Sequence, residues 1–434
     1  MDYSFHDSSF LDSFFKPLNQ VYQTSDFQYN CKGISDIEYL MMGCQRVVEL
    51  EKSGNGFLQN FTLTNQQHVS VGHFFQTIKS SRRLNNQKSV NQRLRAYMKD
   101  HLEDPLAEVE ELKGWHLFAG DGHYHKAAIF DQPTSSDSSN QEPTKSATGH
   151  FFTMDMRTHH MGYLDLAQPE DGKKSEHDLK ALKRQDIETL RGLAPKGQKV
   201  LYMWDRSCID YPFWHSMKHN RGVYFCTLAK SNSCTKKIRD HSIIDYSDQR
   251  NEGVISDELV ETSKGYEIRK ICYINPFDGK HYTYLTNELS LPAWVHVLLY
   301  KHRWDIEKMF HQFKDKLNET RSWSSDNHGK QAHAIFLCML HNLMLLFERY
   351  ANQKEGLHDV IEENKAKIRE RTRPIPKGQG WRRKRPSSFI NKFFKRASQR
   401  TCRFIRWLRN ALKNRSSYTL AINDLARVWG CLTT

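Results

Sequence analysis

The chain has 434 residues, 38% of them hydrophobic and 26% charged, with a formal net charge of +14, a length that implies two or three domains with ample core. Its nine cysteines are scattered and form no CxxC pair, which excludes a disulfide scaffold and a zinc knuckle and predicts reduced thiols in a cytoplasmic protein. The opening MDYSFHDSSF lacks the basic and apolar regions of a secretory signal in the required order.

From the N-terminus, SDIEYLMMGCQRVVELEKSG (35–54) predicts a helix. SVGHFFQTIKSSRRLNNQKSVNQRLRAYMKDHL (70–102) predicts two more, parted by a polar turn at Ser80, Ser81, Arg82 and Arg83. Residues 1–110 thus read as a helical region, which suits a helix-turn-helix on DNA and equally a small helical bundle. Next, GWHLFAGDGHYH (114–125) is an apolar stretch ending in Asp121-Gly122. HKAAIF and HFFTMDMRTHHMGYLDLA follow, separated by a Ser/Thr/Pro/Asn-rich insertion, and predict two or three strands. A helix is expected at about 175–192, ending at Gly192. KVLYMWDRS (199–207) reads as a fully buried strand running into Asp205. Asp210 competes with Asp205 as a site residue, but it opens YPFWHSMKH as a helix N-cap. GVYFCTLAK (222–230) is another strand.

The run YKHRWDIEKMFHQFK (300–314) carries Tyr300, Arg303, Glu307 and Lys314 at helical offsets. In one continuous helix these four side chains fall within a sector of about 60°, beside an apolar face built from Leu299, Ile306, Met309, Phe310 and Phe313. A carboxylate between a phenol and two cations suits a metal ion beside a phosphodiester. Taken alone, the run also fits an amphipathic helix with an ordinary Arg303–Glu307 pair.

Asp121, Asp205 and Glu307, with this Y-x2-R-x3-E-x6-K helix, resemble the DDE transposases of bacterial insertion sequences, more closely the insertion sequence four type. The resemblance covers about residues 113–350. It implies a ribonuclease H-like catalytic core in which the acidic triad binds two Mg²⁺ ions, with Mn²⁺ as a substitute. It also implies that Tyr300, Arg303 and Lys314 contact DNA phosphates near the cleaved end. The chain departs from the family where His123 follows Asp-Gly in place of a small hydroxyl residue, and where Ser207 follows Asp-Arg in place of glycine.

Asp205 and Glu307 lie 102 residues apart, more than a strand, a loop and half a helix require. The excess, about 230–288, alternates like strands and predicts an inserted β-rich subdomain. QAHAIFLCMLHNLMLLFERY (331–350) is expected to be a buried core helix, since His341-Asn342 and its modest length argue against a membrane span. His123 and His125 would share one strand face beside Asp121, with His159-His160 nearby. Without a third spaced ligand they read as structural histidines rather than a zinc site. Residues 364–415 hold 19 Lys or Arg against one acid, Glu370, interleaved with Trp381, Phe389, Phe393, Phe394, Phe404 and Trp407. Such a tail binds polyanions; a basic amphipathic helix on a membrane surface is the alternative for 389–415.

The expected architecture is therefore α/β: a ribonuclease H-like mixed sheet with helices on both faces, a β-rich insertion before the last catalytic helix, and helical N- and C-terminal regions. Its expected parts are 1–110, a catalytic domain over 111–352, and a basic region over 353–434. The expected activity is metal-dependent cleavage of double-stranded DNA at terminal inverted repeats, followed by strand transfer into target DNA by a homodimer in the bacterial cytoplasm near the nucleoid. The rival readings are another ribonuclease H-like nuclease and a domesticated, non-catalytic DNA-binding protein.

Overall fold

The computed structural model of the chain describes residues 8–24, 33–49, 53–65, 69–134, 144–170, 175–356 and 397–428, except positions 146, 277, 318, 398 and 415, together with Tyr29 and Lys173. The predicted Trp381, Phe389, Phe393 and Phe394 of the basic tail lie outside the described residues.

Five helices come first: α1 (Phe10–Gln23), α2 (Asp36–Val48), α3 (Gly54–Asn65), α4 (Val71–Ile78) and α5 (Ser81–His101). Each start that matters here is marked by a serine cap. Ser35 and Glu38 form a reciprocal capping box on α2, and Ser70 and Ser80 cap α4 and α5. The chain turns between α4 and α5 at Lys79 and Ser80, so Ser81, Arg82 and Arg83 of the expected turn lie instead in the first turn of α5. Arg82 makes a bidentate contact with the buried Asp36 at 2.7 and 2.8 Å. Arg83 is buried and donates to the carbonyl of Ile34 at 2.5 Å.

The sheet strands are β1 (Trp115–His125), β4 (Thr148–Asp155), β5 (Met161–Leu166), β6 (Lys199–Met203), β7 (Val223–Leu228), β8 (Thr235–Asp240), β9 (Val254–Thr262), β10 (Glu267–Ile274) and β11 (His281–Thr286); β2 (Pro133–Thr134) and β3 (Thr144–Lys145) form a separate small ladder. The nine strands run in the order β5-β4-β1-β6-β7-β11-β10-β9-β8. β1, β6 and β7 are parallel neighbours, while β4 and β5 add on antiparallel. This is the mixed ribonuclease H-like arrangement expected from the sequence. The insertion is β-rich as expected, but it is not a separate body. β11 pairs antiparallel with β7, so β8–β11 extend the catalytic sheet directly. Pairing with β7 satisfies backbone groups that an isolated four-strand unit would leave at an open edge.

Both sheet faces are covered. One carries Phe118, Tyr202, Trp204, Val223 and Phe225 against α6 (Asp178–Arg184), α7 (Ile187–Arg191) and α8 (Tyr211–Arg221). The expected single helix at 175–192 is two, because Asp186 caps a new start, and the chain leaves α7 through Gly192 at φ +57°. The other face carries Leu117, Ala119, Phe152, Met154, Leu201 and Met203 against the N-terminal helices, α9 (Ala293–Arg303), α10 (Asp305–Lys316) and α11 (Asn327–Glu355).

α11 is the buried helix that the sequence predicts. It is long and apolar enough to cross a membrane by length and composition, yet 78% of its most apolar window is buried inside the protein. Its polar residues hold β5 in place: Asn342 accepts from Met161 N at 2.8 Å and donates to Met161 O at 2.9 Å.

The chain then returns as α12 (Cys402–Lys413) and α13 (Tyr418–Val428). For the part described, this corrects the alternative of a membrane-surface helix over 389–415. The apolar face of α12, with Phe404, Ile405, Trp407 and Leu408, is buried, and Phe10 of α1 packs edge-on against Trp407. The main chain of 8–10 pairs with 416–418, tying the two ends of the chain together.

Candidate active site

β1 does not end at Asp121. The strand continues through Gly122 to His125, and Asp121 lies opposite Phe152 of β4. Small residues make this possible. A Cβ on Gly120 would lie 2.4 Å from the Trp204 ring, and one on Gly122 would lie 2.9 Å from Phe151 and 3.1 Å from Asp178 Oδ1. The Asp-Gly pair thus lets a ring and a second carboxylate close on the strand; it does not make a turn.

Asp205 stands two residues beyond β6 and caps the 3-10 turn Arg206–Cys208, its Oδ1 accepting from Ser207 N at 2.9 Å. Ser207 thereby orients Asp205 through its backbone N–H, a bond in which its side chain takes no part. Asp210 caps α8 by accepting from Phe213 N at 2.9 Å, as expected, and pairs with Lys183 at 3.0 Å.

The signature run is not one helix. α9 ends at Arg303, Trp304 turns with ψ −12°, and α10 starts at Asp305. Glu307 N reaches back only to Trp304 O, a tighter three-residue closure. The break falls beside the buried Asp305, whose carboxylate accepts from Ala397 N at 2.9 Å and pairs with Lys308 at 2.9 Å.

Arg303 nevertheless bridges two of the predicted acids. Its Nη1 donates to Asp121 Oδ2 at 3.1 Å and its Nη2 to Glu307 Oε1 at 3.0 Å. Burial opposes the arginine charge, but Tyr300, Asp121, Glu307 and Asp205 outweigh it and raise its pKa. Tyr300 donates to the carbonyl of Trp204 at 3.2 Å, so its hydroxyl holds the segment leading into Asp205; burial pushes that phenol up. Lys314 is exposed on α10; burial raises the carboxyl of Glu319, with His123 and then Lys314 opposing that rise.

One acid was not foreseen. Asp178, the first residue of α6, feels both Asp121 and Asp205. Burial first, then those two charges, raise its carboxyl to about 7. Asp121 is raised too, by burial and by Glu307, against the lowering effect of Arg303. No local pattern in SEHDLK marks Asp178; its place depends on α6 docking against Gly122. Among the described residues, no group of three or more His, Cys, Asp or Glu is arranged as a ready metal cage.

Two carboxylates on facing elements bridged by an arginine, with Asp178 close enough to feel both Asp121 and Asp205, form a site built to meet cations and phosphate. The pattern of the transposase DDE domain matches residues 100–343, more than half of the chain. The chain belongs to that transposase family. Over 145 residues it is 30% identical to y4zB of Sinorhizobium fredii (strain NBRC 101917 / NGR234), a protein named as a candidate transposase. The aligned stretch is 32% of this chain, and the chain spans 40% of the length of that curated relative. The ribonuclease H-like sheet is thus the core of a transposase-family protein, a family whose members act on DNA and generally use divalent metal ions.

Proposed function

We propose that this chain is a transposase of the insertion sequence four type. It would cleave double-stranded DNA at the terminal inverted repeats of its element and join the freed ends to target DNA. Asp121, Asp205 and Glu307 would hold two Mg²⁺ ions, with Mn²⁺ able to replace them. The observation that carries this reading is the Asp121–Arg303–Glu307 bridge between β1 and α10, beside the Asp205 end of the neighbouring parallel strand.

The donor set fits such ions. Carboxylate oxygens suit hard divalent cations. Arg303 is the cation in direct contact with Asp121 and Glu307, while Asp121 and Asp178 are raised by burial and by neighbouring acids, as expected of a site short of positive charge. Bound there, the ions would supply charge stabilisation at the attacking and leaving oxygens of an in-line displacement.

The chain's own residues do the rest. Arg303 is placed to exchange a carboxylate for a phosphate oxygen through the same planar fork. Lys314 would neutralise a phosphate further along α10. Tyr300 keeps the Asp205 segment in position through Trp204 and would position a DNA phosphate beside it. The partners on this reading are the element ends, target DNA and a second copy of the chain in the synaptic complex, acting in the cytoplasm.

The test is strand cleavage of a duplex carrying the element end, in Mg²⁺ and in Mn²⁺. Asp121→Ala, Asp205→Ala and Glu307→Ala should each abolish cleavage while the protein keeps its thermal unfolding transition and its binding to DNA. Full cleavage by a folded Asp205→Ala protein would remove that residue from the site.

A further inference from the structure

His123 is one of the two residues at which this chain departs from the family it resembles, and the structure gives it a specific partner. β1 puts Asp121 and His123 on one face, two residues apart. The His123 ring stacks on Phe310 of α10, with centroids 4.7 Å apart and planes 17° apart. Phe310 is three residues beyond Glu307, close to one helical turn. The far nitrogen, Nε2, lies 2.7 Å from Glu319 Oε2, in the segment just after α10. Glu319 is fully buried, and His123 is only 12% exposed.

A carboxylate in that position needs a partner, because burial without one is costly. Among the described residues, Glu319 has no lysine or arginine within ion-pair distance, and its other oxygen faces His125 Nδ1 at 3.6 Å without a hydrogen bond. His123 therefore partners one oxygen of Glu319, while Phe310 and Glu319 clamp His123 from two sides. A serine at position 123, the residue class usual in the family, is too short to reach either.

We infer that His123 and Glu319 form a buried positioning pair that locks β1 to α10 and so sets the distance between Asp121 and Glu307. This rests on the carboxylate reading proposed above. Arg303 joins the same two elements through its contacts with Asp121 and Glu307, and the pair joins them through the Phe310 stack and the Glu319 contact, leaving the acids held at two points. Neither pair member touches a reacting atom; both act through the strand and helix that carry the acids.

The test uses the full chain with His123→Ala, Glu319→Ala, the double variant, and the milder His123→Gln and Glu319→Gln, in which an amide still reaches. Mn²⁺ binding is measured without DNA, from the spin-resonance signal of free Mn²⁺, and cleavage of an end duplex is followed over a Mg²⁺ series. Each alanine variant should weaken Mn²⁺ binding about ten- to a hundredfold and move the Mg²⁺ curve in parallel, as loss of outer partners of metal ligands does. The double variant should match the worse single variant, and the glutamine variants should lie nearer to wild type. Wild-type Mn²⁺ binding in folded variants overturns the pair, and so do losses that multiply in the double variant. If the alanine variants do not fold, the glutamine variants decide: unchanged binding and an unchanged Mg²⁺ curve overturn the pair, and a shift in both supports it. Asp121→Ala is the separate control. If it binds Mn²⁺ and cleaves normally, the carboxylate reading has failed; if it loses both while the pair variants do not, only the pair has failed.

Discussion

Arg303 is held by two carboxylates that repel each other, so its removal should do more than delete a phosphate contact. Arg303→Ala leaves Asp121 and Glu307 facing each other across the gap between β1 and α10, and Arg303→Lys keeps the charge but not the fork. Cleavage of end DNA should fall by about a hundredfold or more in the alanine variant, and part of it should return with lysine. Binding to random duplex, measured in parallel, should change little; equal losses in both assays would make the residue a general DNA contact. Asp178 offers a different test. Its carboxyl is raised to about 7, chiefly by burial and then by Asp121 and Asp205. A folded-state pKa above the unfolded one gives stability that is present below the unfolded value, near 4, and is lost as pH rises toward 7. In metal-free buffer, Asp178→Asn should therefore be more thermostable than wild type at pH 7, and the advantage should shrink toward pH 4. A wild-type advantage at pH 7 would mean that Asp178 is paired rather than crowded.

At the scale of elements, Asp205 and Asp210 separate by what each one caps. Asp210 holds the start of α8 and a lysine, so Asp210→Ala should cost about 1 kcal/mol of stability and leave cleavage near wild type. Abolished cleavage in a folded Asp210→Ala protein would exchange the roles of the two acids. Both acids were legible from their neighbours, because a buried apolar run and a helix start are local patterns. The strands and the buried α11 were legible for the same reason: alternation and all-round apolarity survive in one dimension. The break at Trp304 was not. The run 300–314 has helical spacing throughout, and what coincides with the break is the buried Asp305 meeting Ala397, 92 residues away in the chain. Asp178 and Glu319 were hidden likewise, one behind Gly122 and the other under His123, each defined by packing between elements distant in sequence. The merging of the insertion with the catalytic sheet also depends on a long-range pairing, that of β11 with β7.

At the scale of the whole molecule, acid and salt probe two separate features. His125, His160 and His341 are buried, with pKa values lowered to about 3, and His159 to about 4, in each case mainly by burial. They stay neutral in the folded protein while the unfolded chain takes up protons below about 6.5. Stability should therefore fall steadily as pH drops from 6.5 toward 4, with proton uptake on unfolding near pH 5 measurable by calorimetry in two buffers of different ionisation enthalpy. A flat profile over that window would mean that the histidines are charged or solvated when folded. Salt tests the basic stretch. Residues 364–396 hold 13 Lys or Arg against Glu370, a net charge of +12, between α11 and the return of the chain at Ala397. That return is part of the fold. Lys308 donates to Ala397 O at 3.1 Å, Arg400 N donates to Gln312 at 2.8 Å, and Arg409 of α12 donates to Val48 O at 2.6 Å. Truncation of 364–434 should accordingly destabilise the whole protein, because it strips α10 of these anchors and uncovers Phe10. Replacing 364–396 with a neutral Gly/Ser linker of equal length spares them and isolates the charge. The linker variant should keep its unfolding transition, while the slope of log affinity for random duplex against log salt becomes shallower by about 0.9 for each phosphate that the protein no longer neutralises. If the slope is unchanged, the non-specific affinity resides on the folded body, and the basic residues of β8 and the exposed Lys314 become the surfaces to neutralise next.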